Sequence, residues 1–253
     1  MDSSASACVS SRRSYAIAET ATMPAEVCLR FLRQAKQVHD AGLKSYGLLV
    51  AEPDALGGPF RATDVVFLDS RGNRRNQSGN REAFEAQGRY FRRHDDAGFV
   101  ADPTELLAVH RRIEESGREI VAMFHSHRRQ PPNFSWIDFR LHNPAFPWHL
   151  IISFHRGPFP RLQPFRVDKE GIEQGISADD NREGSELAYP GPEVVPLSLL
   201  VDGTPANVDA CAAALGMRSH PGTAGWEVKV NGAPRDLNDL SREFTGRTRS
   251  KSA

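Results

Sequence analysis

The chain has 253 residues, 39% of them hydrophobic and 25% charged, and its 32 basic side chains are balanced by 32 acidic ones. That length buries a core without metal or disulfide staples, and a net charge of zero supplies no global field for nucleic acid or an anionic membrane. No run approaches the roughly 18 apolar residues of a membrane span, so nucleic acid and membrane are both excluded as expected partners.

Residues 1–14 are rich in Ser and Ala without a continuous apolar run, and read as a disordered lead-in rather than a secretory signal. Cys8, Cys28 and Cys211 are far apart and odd in number, which argues against a disulfide framework and fits a reducing, cytoplasmic setting. Apolar residues at Val27, Phe31, Ala35 and Val38 predict a helix over Pro24 to Asp40, with Gly42 placed to end it in the left-handed conformation. Ser45 to Ala51 is apolar on both faces, as in a central strand, and Asp64 to Leu68 predicts a second strand. The polar, Gly- and Asn-rich stretch Arg71 to Asn80 reads as a mobile surface loop. Glu82 to Arg93 has helical spacing through Phe84 and Phe91, weakened at Gly88 by about 1 kcal/mol relative to alanine.

Asp102-Pro103-Thr104-Glu105 is a strong helix start, with Asp102 as N-cap and Pro103 at the first helical position. Leu106, Val109 and Ile113 give that helix its buried stripe and Gly117 closes it. Glu119 to His127 then reads as a strand buried on both faces, and His149 to His155 and Leu162 to Val167 as further strands. Residues 171–194 read as a linker. Beyond them, residues 195–253 read as a small accessory segment: a strand over Pro196 to Val201, a helix over Val208 to Leu215, an Asn231-Gly232 hairpin and a basic tail.

The chemistry concentrates after residue 120. Residues two apart in a strand point to one face, so His125 and His127 project together. Ser135 is a natural N-cap, and the turn after Pro131-Pro132 can bring Asp138 back over the strand end. Two nitrogens and one oxygen with an open fourth position form the pattern of a catalytic zinc site. Taken singly, the His-x-His pair reads as structural histidines and Ser135-x-x-Asp138 as a capping box. His142, His149 and His155 could support the ligands from behind or contact substrate, but read first as structural histidines, and Trp136 as packing the helix start.

Taken together, His125-Ser126-His127, seven residues, then Ser135-x-x-Asp138 resemble the motif of the JAMM/MPN metallopeptidases. The resemblance runs over about Pro24 to Val167, through Gly47-Leu48-Leu49, Phe99-Val100-Ala101-Asp102-Pro103 and Ile120-Val121. It implies an α/β fold for residues 15–170, of the JAMM/MPN-like, cytidine deaminase-like kind: a mixed central sheet flanked by helices. It also implies zinc on His125, His127 and Asp138, with Ser135 hydrogen-bonding near the reacting carbonyl. The implied reaction is hydrolysis of amide or isopeptide bonds after the C-terminal glycines of a ubiquitin-like or sulfur-carrier protein.

One departure stands out. Where the family has a proton-transferring glutamate, three residues before the glycine of its first strand, this chain has Lys44, whose charged form has no acceptor. Four readings are open: another carboxylate substitutes, such as Glu52 or one from residues 71–96; Lys44 works as a partly neutral amine; the site binds without hydrolysis; or the register is shifted and Lys44 is only a solvated residue at the mouth of the strand. Two other functions therefore accompany the hydrolase reading. One is a zinc enzyme acting on a small molecule, with chemistry altered by Lys44; the other is a non-catalytic zinc-binding scaffold for a ubiquitin-like partner. The accessory segment faintly resembles a sulfur carrier around Val230 to Arg235, but lacks a terminal Gly-Gly.

Overall fold

A computed structural model describes residues 20–53, 58–170, 175–222 and 225–230. The lead-in, the Asn231-Gly232 hairpin and the basic tail lie outside the described residues. Among those described, no helix is long and apolar enough to cross a membrane.

The described residues open with a strand, β1 (Thr20–Pro24), that the sequence reading did not anticipate, and pass directly into α1 (Ala25–Asp40). Val27, Cys28, Phe31, Leu32 and Ala35 form the buried face of α1. The helix stops as expected: Gly42 takes φ +78°, and the Gly42 and Leu43 amides return to the His39 and Val38 carbonyls. Next come β2 (Tyr46–Ala51) and β3 (Asp64–Phe67). Gly47 in β2 has a packing reason, since a Cβ there would fall 2.2 Å from the Val66 carbonyl and 2.6 Å from the Phe124 ring.

Residues 71–80 are not a free loop. Arg75 is 1% exposed, donating through Nε to the Ala97 carbonyl and through a terminal nitrogen to the Phe91 carbonyl. A polar composition conceals this anchor, because a buried guanidinium satisfies carbonyls far along the chain. The expected helix over Glu82 to Arg93 is two, α2 (Asn80–Ala86) and α3 (Arg89–Arg93), divided where Gly88 adopts φ +123°. In α4 (Pro103–Glu115), Asp102 accepts from the Thr104 and Glu105 amides as its cap.

The rest of the main sheet comprises β4 (Glu119–His127), β5 (Trp148–Ser153), β6 (Arg161–Val167) and β7 (Val194–Pro196), with α5 (Trp136–Leu141) between β4 and β5. Its order is β3-β2-β4-β5-β6-β7, and β4 with β5 is the parallel pair in an otherwise antiparallel sheet. This is the mixed α/β sheet expected from the sequence.

Residues 198–230 supply β8 (Ser198–Gly203), α6 (Pro205–Ala214), β9 (His220–Gly222) and β10 (Gly225–Val230). With β1 they build a second sheet ordered β1-β8-β10-β9, in which β1 pairs parallel with β8. Val27, Phe31, Phe124, Leu150, Leu199, Val201 and Val208 belong to one continuous buried cluster, so both sheets share α1 and one core. Cys28 of α1 and Cys211 of α6 meet inside it, Sγ to Sγ 3.1 Å, as free thiols.

The stretch read as a linker lies against the body of the molecule. Trp136 N donates to the Leu187 carbonyl, Ile137 N to the Ser185 carbonyl, and Tyr189 N to the Phe134 carbonyl. Residues 185–189 are thereby fixed beside the start of α5, an arrangement a run of Gly, Ser and Glu does not announce.

Candidate metal centre

The site forms where β4 ends. His125 and His127 leave the same face of β4 as Met123, whereas Phe124 turns into the shared core. The neighbouring strand is pinned there by two reciprocal bonds, the Ser45 amide to Ser126 Oγ at 2.8 Å and the Ser126 amide to the Ser45 carbonyl at 2.9 Å. This tie puts Lys44 beside the two histidines at the rim of a pocket.

Asp138 reaches the site because Ser135 caps α5. Ser135 Oγ accepts from the Asp138 amide at 3.2 Å, while the Ser135 amide and hydroxyl donate to Asp138 Oδ2 at 2.8 and 2.6 Å. With Oδ2 committed, Oδ1 faces His125 Nε2 at 3.2 Å. His127 Nε2 is 3.9 Å from Oδ2 and 2.9 Å from His125 Nε2. One donor atom from each of the three residues lies within 4.8 Å of the other two. Both histidines are buried, and Asp138 nearly so.

These donors fit a borderline cation such as zinc. His127 Nδ1 lies 2.7 Å from the Pro131 carbonyl, which can only accept, so the proton sits on Nδ1 and Nε2 keeps its lone pair toward the cluster. Burial pushes the His125 imidazole well below its ordinary range, with His127 and Lys44 adding repulsion. It lowers His127 as well, against the opposing pull of Asp138. Neutral imidazoles and a carboxylate, lone pairs converging in a buried corner of the pocket, are the donor chemistry of a metal site.

The pocket in front of this cluster is lined by Lys44, Tyr90, Phe99, Asp96, Glu186 and Leu141, among others. Burial lowers the half-buried Lys44 ammonium, while Asp138 and Asp96 pull it back up. Of the carboxylates considered as substitutes for the family's glutamate, Glu52 is exposed beyond the far end of β2 and does not line the pocket. Asp96 does line it, but is held by Arg128 at 3.0 Å and Arg129 at 3.8 Å. Ser135 lines the pocket with its single hydroxyl proton already given to Asp138.

One feature was not read from the sequence, and another was read there as the lesser of two alternatives. Glu186, within the stretch taken for a linker, presents to the pocket wall a carboxyl whose Oε2 is buried without a hydrogen-bond partner. Burial raises its pKa, opposed by its own backbone amide and assisted by Glu183. His149 and His142 stand in a row behind His125. The register of β4 on β5 could have signalled His149, since it pairs Met123 with His149 and so places that ring on the face of His125.

Comparison with known proteins places this site in context. Residues 47–165 match the family model described as prokaryotic homologs of the JAB domain. No curated protein matches the chain. Among solved structures, the chain is similar to protein DSY2949 from Desulfitobacterium hafniense, at 22% identity over 61% of this chain and 88% of that one, with a TM-score of 0.38. It is also similar to AF2198, a JAB1/MPN domain protein from Archaeoglobus fulgidus, at 15% identity over 53% of this chain and 78% of that one, with a TM-score of 0.30.

Proposed function

Because residues 47–165 belong to the prokaryotic branch of the JAB, or JAMM/MPN, family, we propose that this chain is a zinc-dependent hydrolase of amide or isopeptide bonds. Its proposed substrate is the C-terminus of a ubiquitin-like sulfur-carrier protein. The observation that carries the reading is the convergence of His125 Nε2, His127 Nε2 and Asp138 Oδ1 in a pocket that also holds Lys44.

His125, His127 and Asp138 would hold the zinc, which would supply Lewis acidity and activation of a water nucleophile. The remaining work belongs to the chain. Lys44 stands where the family has its glutamate, and burial lowers its ammonium toward the neutral amine that can accept a proton at Nζ and return it to a leaving nitrogen. Ser135 holds Asp138 through Oδ2, which leaves Oδ1 without a Ser135 bond and turned to His125. Tyr90, Phe99 and Leu141 supply apolar wall that keeps bulk water from an extended substrate. A cytoplasmic setting belongs to the same reading, supported by three widely spaced cysteines that form no disulfide framework in the sequence.

A second reading, a zinc-holding scaffold that binds a ubiquitin-like partner without turnover, is favoured by one observation. The pocket's Asp96 is bound to two arginines, so that carboxylate is not free to replace the family's glutamate as base. Zinc-loaded protein incubated with a carrier extended beyond its Gly-Gly end, with and without chelator, decides between them by mass spectrometry. Chelator-sensitive release of the extension supports the hydrolase. Tight binding without release supports the scaffold, and turnover of small amides alone moves the substrate to a small molecule.

A further inference from the structure

We propose that His149, His142 and the Phe146 carbonyl form a directional hydrogen-bond chain that locks His125 in the tautomer protonated at Nδ1, making both histidines positioning residues for a metal ligand. The inference rests on the reading of His125 as a ligand and adds to it the residues that prepare that ligand before any cation arrives.

The chain of inference starts at a group with only one possible role. The Phe146 carbonyl accepts and never donates, and His142 Nε2 lies 2.9 Å from it, so His142 carries its proton on Nε2. A neutral His142 then offers Nδ1 as an acceptor. His149 Nδ1 is 3.2 Å away and must be the donor, which leaves His149 Nε2 as an acceptor. His125 Nδ1 lies 2.7 Å from that atom and must donate in turn, so its Nε2 keeps a free lone pair directed at His127 and Asp138. No other placement of one proton per ring satisfies all three contacts.

Neutrality of the rings follows from where they are. His142 is fully buried and His149 2% exposed, and the Phe134 ring packs edge-on against both.

The consequence lies at the ligand. In the opposite tautomer His125 would carry a proton on Nε2 and donate it to Asp138 Oδ1 or His127 Nε2, so the three donors would satisfy one another. Binding a cation would then require breaking that bond and moving a proton. Because the Pro131 carbonyl fixes His127 in the same sense, both imidazoles are set as acceptors from opposite sides of the cluster.

The test reads the tautomers directly in metal-free, 15N-labelled protein near neutral pH, through two-bond proton–nitrogen correlations of the imidazole rings. In wild type the expected pattern is a proton on Nδ1 of His125 and His149 and on Nε2 of His142. His142→Leu, which replaces a side chain in hydrogen-bond contact with no ligand and keeps the backbone bond to the Asp138 carbonyl, should move the His125 proton to Nε2 or to a mixture and weaken zinc binding by about tenfold to a hundredfold. His142→Gln, able to donate to Phe146 and accept from His149, should restore both. If His142→Leu does not fold, His149→Leu against His149→Gln gives the same contrast. A wild-type His125 protonated at Nε2, or a His125 unaffected in the Leu variants, overturns the proposal. Failure of wild type to bind zinc while the tautomers are as expected would overturn the hydrolase reading and leave the hydrogen-bond chain standing.

Discussion

Ser135 Oγ lies 2.6 Å from Asp138 Oδ2, and this contact decides which oxygen of the carboxylate is available to a cation. The same serine caps α5, so helix geometry and ligand orientation depend on one side chain. Ser135→Ala should lower thermal stability by about 1 kcal/mol through loss of the cap and weaken zinc binding by about tenfold or more through a freed carboxylate. Calorimetry and competition with a chromophoric chelator read the two effects separately. Ser135→Thr keeping both, and Ala losing stability without affinity, would show that Oδ2 needs no restraint.

His127→Ala removes a donor held by the Pro131 carbonyl, and leaves His125 and Asp138 to bind alone. Elemental analysis after zinc loading and desalting should give one zinc per wild-type chain and well below that in the variant. Equal metal content in both proteins would remove the site from its assigned residues.

Lys44 carries the distinctive pH expectation. An amine accepts a proton only when neutral, so wild-type cleavage should rise with pH through the lowered Lys44 pKa. Lys44→Met should cost about 100-fold to 10,000-fold in turnover, the usual range for a positioned proton carrier. Lys44→Glu should cleave with its rising limb displaced to lower pH, since a carboxylate is already ionised there. A Lys44→Met protein that turns over like wild type with an unmoved profile would take Lys44 out of the reaction.

Glu186 offers a control on that assignment. Its pKa is raised by burial, so the unfolded chain ionises first and the ionised carboxylate opposes folding once pH exceeds the unfolded value. Glu186→Gln should therefore gain stability relative to wild type at pH 7 and lose that advantage near pH 4, with turnover changed by less than about tenfold, below the usual range for a proton carrier. A collapse of turnover in Glu186→Gln alongside an intact Lys44→Met would transfer the proton-carrying role to Glu186.

The buried histidines make the metal-free protein acid-labile. His142 has a folded pKa near 4, below its unfolded value, so its contribution is complete above about pH 6.5 and is lost as pH falls toward 4. Urea midpoints measured across that interval should decline, and His142→Gln, which does not titrate, should decline less steeply. Parallel curves for the two proteins would show that His142 is charged in the fold or contributes equally in both states.

The sequence by itself determined the elements whose signals are local. Asp102-Pro103 announced α4, Gly42 announced the end of α1, and the doubly apolar run from Glu119 to His127 announced β4 with its bounds. The period of two in that strand, with Ser135 three residues before Asp138, put both histidines and the carboxylate within reach of one point, because strand alternation and capping are properties of a few adjacent residues.

Tertiary structure decided whatever depends on groups distant in the chain. Arg75 is anchored by carbonyls of Phe91 and Ala97, Cys28 meets Cys211, and the 185–189 segment lies on α5, each relation set by packing rather than by local composition. The roles of His142 and His149 belong to the same class. A histidine's tautomer depends on which nitrogen faces a carbonyl, and only the parallel pairing of β5 with β4 brings the Phe146 carbonyl, two imidazoles and His125 into one line.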